Sequence, residues 1–122
     1  MTTCQGIRGA TTANENSRDA ILSATHELLQ RLVEANRLEV SQVAAAFFTT
    51  TQDLNAEFPA VAARQMGWKN VALMCGHEMA VPDGLPKCIR VLILVNTDKQ
   101  AAELKYVYLK GATRLRSTGM ES

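Results

Sequence analysis

Arg90 is the residue whose surroundings most demand a chemical explanation. It stands inside CIRVLILV, a run that is otherwise apolar. Such a run reads as a strand with apolar residues on both faces, covered on both sides. Arginine does not shed its charge, and burying that charge unpaired is costly. Arg90 must therefore meet an anion or a carbonyl oxygen. An internal Asp or Glu would satisfy it as well as a ligand. Arg8, in GIRGATT, poses the same question. Flanking glycines let a backbone approach a ligand, and a guanidinium grips a carboxylate through two parallel hydrogen bonds. An ordinary surface arginine on an edge strand is the plainer alternative. Glu78 follows a strand-like run at 70–75. Positions just past strand ends often carry function in α/β folds, although a solvated loop carboxylate is commoner. Tyr106 and Tyr108 share a face if their segment is a strand, as do Arg114 and Arg116. Packing and a solvated strand end are their plain readings. Cys75 reads as small filler, because nothing local lowers its thiol pKa. Several arginines, one glutamate and one tyrosine make a reasonable site for a small dicarboxylate, without naming a reaction.

Other chemistries find little support. Cys75, His77 and Cys88 match no common zinc spacing and have no evident fourth ligand, so no metal is expected. No GxGxxG follows a strand and no GxxxxGK[ST] occurs, which removes the nucleotide-binding motifs. His26 falls in an amphipathic helix and reads as a surface residue. The 13 basic and 12 acidic residues leave a net charge of +1, which argues against a nucleic-acid surface. No apolar run reaches the roughly 18 residues of a membrane span. The start MTTCQGIRG lacks the features of a signal peptide, and three cysteines without a CxxC pair suit a reducing compartment. A cytoplasmic protein is expected.

The elements that must position these residues form an α/β mixture around one sheet. The 122 residues, 47% hydrophobic, fit a single domain over 1–122, with 116–122 a loose tail. A first strand is predicted at 3–12. A helix follows at about 17–36, capped by Ser17 or Asn16, with Ile21, Ala24, Leu28, Leu32 and Ala35 at helical spacing. Residues 42–50 read as a strand. Asp53 can cap a short helix at 53–57, and Pro59 opens another at 59–66 that Gly67 ends. A strand at 70–75, a loop at 80–87 and the strongest strand at 88–97 come next. Asp98 can cap a short helix near 99–105. The last strand is expected over 106–116, broken near Gly111.

A reaction is suggested only by resemblance. QGIRGATT, DLNAEFPAVAAR followed by GW, the C-x-x-E at 75–78, GLPKCIRV and YVYLKGATRLR resemble, in order and spacing, the AroH-class chorismate mutases. The likeness runs from about residue 5 to 116. It implies an α+β fold with a mixed sheet and packed helices, assembled as a pseudo-α/β-barrel homotrimer with active sites at subunit interfaces. It also implies rearrangement of chorismate to prephenate, in aromatic amino-acid biosynthesis, without a cofactor. Arg90 matches the arginine beside the breaking ether oxygen, and Glu78 the carboxylate on the ring hydroxyl, with Cys75 close by. Arg8 and Tyr108 match residues that hold the substrate's carboxylate side. Phe58 and Arg64 match residues presented by the neighbouring subunit, and Leu115 and Arg116 a segment that covers the site. Val61 and Met74 depart from the pattern, standing where a relative has lysine and threonine; Met74 keeps a substrate-side position. Two alternatives stay open: an imine deaminase of the RidA family on a similar trimer, and a non-catalytic trimer that binds small carboxylates.

Overall fold

A computed structural model describes the chain through residue 118, with the side chains of 116–118 left out. The side chain of Arg116 and the tail from 119 onward lie outside the described residues.

Five strands form one mixed sheet: β1 (Thr3–Thr12), β2 (Val43–Thr50), β3 (Ala72–His77), β4 (Cys88–Thr97) and β5 (Val107–Tyr108). Their spatial order is β3-β2-β4-β1-β5. β4 sits at the centre, antiparallel to both β1 and β2, while β3 and β5 add parallel to β2 and β1 at the two edges. The helices are α1 (Arg18–Asn36), α2 (Ala60–Gln65) and α3 (Thr113–Thr118).

One face of the sheet is the core. Ile7, Ala46, Phe48, Val91, Ile93 and Val95 point to it and meet Leu28, Leu29 and Leu32 of α1, Ala60 and Ala63 of α2, and Trp68. Gly9 is required there: a Cβ would lie 2.8 Å from Leu32 Cδ1, 3.1 Å from Leu28 Cδ1 and 3.2 Å from the Val107 carbonyl. The close approach expected of a glycine in this strand is therefore to helix α1 and to β5. Ser17 caps α1 by accepting the Ala20 N–H at 3.1 Å. Asn16 is used differently, bonding Asn55 and Ala56 across 39 and 40 residues.

The opposite face is covered only at one end, where Leu115 of α3 packs with Ala112 over Ala10 and Cys88. Elsewhere it is open. Phe47, Leu92 and Met74 are 37%, 38% and 64% exposed. β4 is thus covered on one side in the single chain, not on both.

Three expectations about local structure need correction. Residues 53–57 are turn and bend rather than helix. Asp53 is engaged elsewhere, accepting from the Thr51 hydroxyl and from the Lys87 N–H at 2.9 Å, which ties this turn to the start of β4. The short helix near 99–105 is a single 3-10 turn, Ala101–Glu103, capped by Gln100 and not by Asp98. The expected long last strand keeps two residues. Lys110 adopts φ 52, and the Gly111 N–H turns to the Thr12 hydroxyl at 3.2 Å. The chain then winds into a 3-10 turn, Lys110–Ala112, and α3. Arg114 and Arg116 therefore belong to a helix and do not alternate along a strand.

Candidate active site

Register on the open face brings the chemistry together. Ala10 of β1 and Thr49 of β2 both lie opposite Arg90 of β4. One step along, Arg8 and Phe47 lie opposite Leu92. Arg8 and Arg90 are therefore diagonal neighbours on one face. Parallel pairing with β1 brings Tyr108 beside Ala10. Glu78 enters from beyond the end of β3, its own N–H bonded to the Thr50 carbonyl at 2.9 Å. The resulting cleft of about 310 Å³ is lined by Arg8, Gly9, Phe47, Thr49, Glu78, Arg90, Val91, Leu92 and Tyr108.

Arg90 and Glu78 form an ion pair. The guanidinium donates from Nε at 2.7 Å and from Nη2, both to Oε1. The two side chains retain 27% and 13% exposure, so solvent screening is weak. Arg8 is stacked on Tyr106, its guanidinium carbon 5.2 Å from the ring centroid, a cation–π contact that fixes its direction. Tyr108 presents a buried hydroxyl with no hydrogen-bond partner among the described residues. A buried hydroxyl without a partner is costly, and a polar ligand in the cleft would relieve it. Two guanidiniums, Arg8 and Arg90, and one carboxylate, Glu78, line the cleft.

Cys75 does not join this group. It pairs across from Phe48, on the helix-covered face. Three positions separate it from Glu78, and side chains alternate along a strand. It lines a second pocket of about 340 Å³ with Phe58, Pro59 and His77. Burial pushes its thiol pKa up, opposed by a hydrogen bond from the Ala60 backbone and by the Arg64 charge. Phe58 is 66% exposed at the mouth of that pocket, on a loop held by the Arg18–Glu57 ion pair at 3.0 Å. Arg64 projects from α2 beside Trp68 and Lys69. Met74 is on the open face opposite Phe47 but does not line the cleft. Leu115 roofs the Ala10 end, in contact with Tyr108. Cys88 shares the face of Arg90, two residues along β4, where it is buried with Ala10, Ala112 and Leu115. Burial, reinforced by the Glu78 charge, pushes its thiol up to about 12.

Arg8, Glu78, Arg90 and Tyr108 thus converge within one chain, while Cys75, Phe58, Arg64 and Met74 stand apart from them. Sequence reasoning missed Phe47, Thr49 and Leu92 as cleft residues. Only the pairing of β2 with β4 reveals them, because alternation alone does not say which face carries the site.

The fold and cleft define a small α+β protein with an arginine–glutamate pair at the floor of an open-face cleft. The chain belongs to the chorismate mutase type I family, whose sequence model matches residues 4–118. It is 48% identical to chorismate mutase AroH of Thermus thermophilus over 113 residues, which is 92% of this chain and 93% of that protein. Against chorismate mutase AroH of Bacillus subtilis (strain 168) the identity is 41% over 113 residues, or 92% and 89% of the two chains. A solved chorismate mutase from Clostridium thermocellum superposes with a TM-score of 0.90 at 50% identity, covering 91% of this chain and 99% of that one. Family membership decides against the imine-deaminase alternative.

Proposed function

We propose that the chain is an isomerase that rearranges chorismate to prephenate in the Arg90 cleft. The observation that carries this reading is the Arg90–Glu78 pair beside the buried Tyr108 hydroxyl, which has no partner among the described residues. The reaction occurs within one molecule and needs no nucleophile, metal or redox cofactor. In its transition state the C–O bond lengthens before the new C–C bond is complete, so negative charge builds on the ether oxygen and positive charge on the ring. Arg90 donates to that oxygen, and the donation strengthens as the charge grows, which lowers the barrier rather than only binding the substrate. Glu78 keeps the guanidinium plane fixed and answers the positive ring at its hydroxyl. Arg8 and Tyr108 hold the carboxylate-bearing side chain in a compact chair-like shape, which removes conformational entropy before the step.

Phe58 and Arg64 enter this reading through a second copy of the chain. Phe47, Leu92 and Met74 form an exposed apolar face continuous with the cleft. That face supports closure by self-association, with a trimer as the proposed form and each site completed by a neighbour's Phe58 and Arg64. The cytoplasm remains the proposed compartment.

The test is loss of chorismate's ultraviolet absorbance with purified protein and a chelator, beside Arg90→Ala. Prephenate formation that vanishes in the variant supports the reading. A folded wild-type protein without turnover overturns it in favour of a carboxylate-binding trimer. Mixing Arg90→Ala with Phe58→Asp tests the shared site, because mixed trimers regain activity only where one neighbour supplies each half.

A further inference from the structure

The strand that carries Tyr108 is the least supported part of the site. β5 makes only two pairings, Val107 to Gly9 and Tyr108 to Ala10, followed by the Leu109 N–H to the Ala10 carbonyl at 2.9 Å. What places it acts two residues upstream, at Lys105, from the far end of α1. Asn36 closes that helix and is 2% exposed. Its side-chain amide donates to the Lys105 carbonyl at 2.9 Å and accepts the Lys105 N–H at 2.7 Å. Its second amide hydrogen goes to the Leu32 carbonyl at 3.0 Å, which locks the side-chain rotamer. The Asn36 carbonyl also receives the Lys99 ammonium at 2.8 Å. Both ends of the 99–105 segment are thereby tied to the last turn of α1.

We infer that Asn36 is a positioning residue for the reaction: its amide clamps both peptide groups of Lys105 and so sets the register of Tyr106 and Tyr108 at the cleft. This inference rests on the reading of the cleft given above. A buried leucine would fill the same space without desolvating an amide. The amide's particular effect is directional, because it fixes the backbone at the residue directly before Tyr106, whose ring carries Arg8. Helix α1 packs on the covered face of the sheet, so Asn36 acts on the open-face site without touching it.

Loss of the clamp leaves the competent position of β5 only partly populated. Substrate then draws the strand back into place, which raises the apparent KM by the inverse of that population and leaves turnover at saturation unchanged. Asn36→Ala is expected to raise KM about tenfold, with kcat within about twofold of wild type, for the loss of the two hydrogen bonds to Lys105. Asn36→Asp keeps the acceptor for the Lys105 N–H and lacks both donors, so its KM falls between the two. It also serves where the alanine variant fails to fold. Hydrogen exchange supplies a reading independent of substrate: the Lys105 and Leu109 amides lose protection while those of β1 and β4 keep theirs. A fall in kcat at unchanged KM, with protection lost throughout, would mean a merely structural amide and overturns the inference. Unchanged KM and unchanged exchange at Lys105 and Leu109 overturn it equally. If wild-type protein does not turn over chorismate, the exchange arm still decides whether the clamp exists.

Discussion

Arg90→Lys keeps the positive charge and changes only its shape, so it isolates the contribution of the guanidinium fork. Two N–H groups of Arg90, Nε and Nη2, are held by Glu78 Oε1, the first at 2.7 Å. The planar group has five donors in a fixed frame, so holding Nε and Nη2 on Glu78 fixes the orientation of the whole guanidinium at the cleft wall. A lysine ammonium has three rotatable donors at a single nitrogen. Once it reaches Glu78 it no longer points a fixed donor at the reacting oxygen. Removing one preorganised donor typically costs about 3–4 kcal/mol, or 10²–10³ in rate. We expect kcat/KM for Arg90→Lys to fall by about that factor, mostly in kcat. Stability should change by less than about 1 kcal/mol, because Glu78 keeps a cationic neighbour. In Arg90→Ala the largely buried Glu78 loses its partner, and the cost approaches the roughly 3–5 kcal/mol seen for broken buried pairs. The assay is chorismate absorbance under saturating and limiting substrate, with urea denaturation of each variant alongside. Near-native turnover by a well-folded Arg90→Lys protein would refute the fork, and charge alone would then suffice.

Further expectations follow from single contacts. Tyr108→Phe removes a buried hydroxyl that has no partner among the described residues, so thermal stability should hold or rise by up to about 1 kcal/mol while KM increases several-fold; a clear loss of stability would show that the hydroxyl already had a partner. Gly9→Ala places a Cβ 3.2 Å from the Val107 carbonyl and 2.8 Å from a Leu32 methyl, and the backbone neighbour does not yield. It should cost about 1–3 kcal/mol in urea denaturation, and an unchanged midpoint would disprove the tight seam. With its thiol pushed up to about 12, Cys88 has almost no thiolate at pH 8. Alkylation followed by mass spectrometry should therefore modify exposed Cys4 first and leave Cys88 intact until the chain unfolds.

Legibility in the sequence tracked how local each cause is. Helix α1 could be read because its cap, Ser17, and its apolar stripe lie within the segment they define. Arg90 could be singled out because one charge in an apolar run is a contradiction at any resolution of the fold. The last segment was misread because its shape is set from far away: the Thr12 hydroxyl that bends Gly111 is 99 residues distant in sequence. Tyr106 and Tyr108 look like the start of a longer strand until that contact is known. Cys75 was expected close to Glu78, yet one odd step along a strand places it on the other face of the sheet. Asn36 gave no signal at all. A helix-ending asparagine is ordinary, and its partner Lys105 lies 69 positions away.

The energetics of the proposed reaction require more than one fixed donor. A 10⁶-fold acceleration corresponds to about 8 kcal/mol of barrier. One fixed donor gives about 3–4 kcal/mol of that, so restraint of the flexible substrate must contribute the rest. In the proposed reading Arg8 and Tyr108 supply that restraint, Tyr108 from the two-residue strand β5 and Arg8 through its stacking on Tyr106 just before it. Water exclusion matters in the same way, because an open face keeps the dielectric high and weakens every charge in the site. Phe47 and Leu92 leave that face open in a single chain. A second copy seated there would dry the cleft and bring Phe58 and Arg64 to its rim. The division of residues between two faces of one sheet fits the shared site proposed above: the covered face fixes the strands, and the open face carries the proposed chemistry where a second copy would close it.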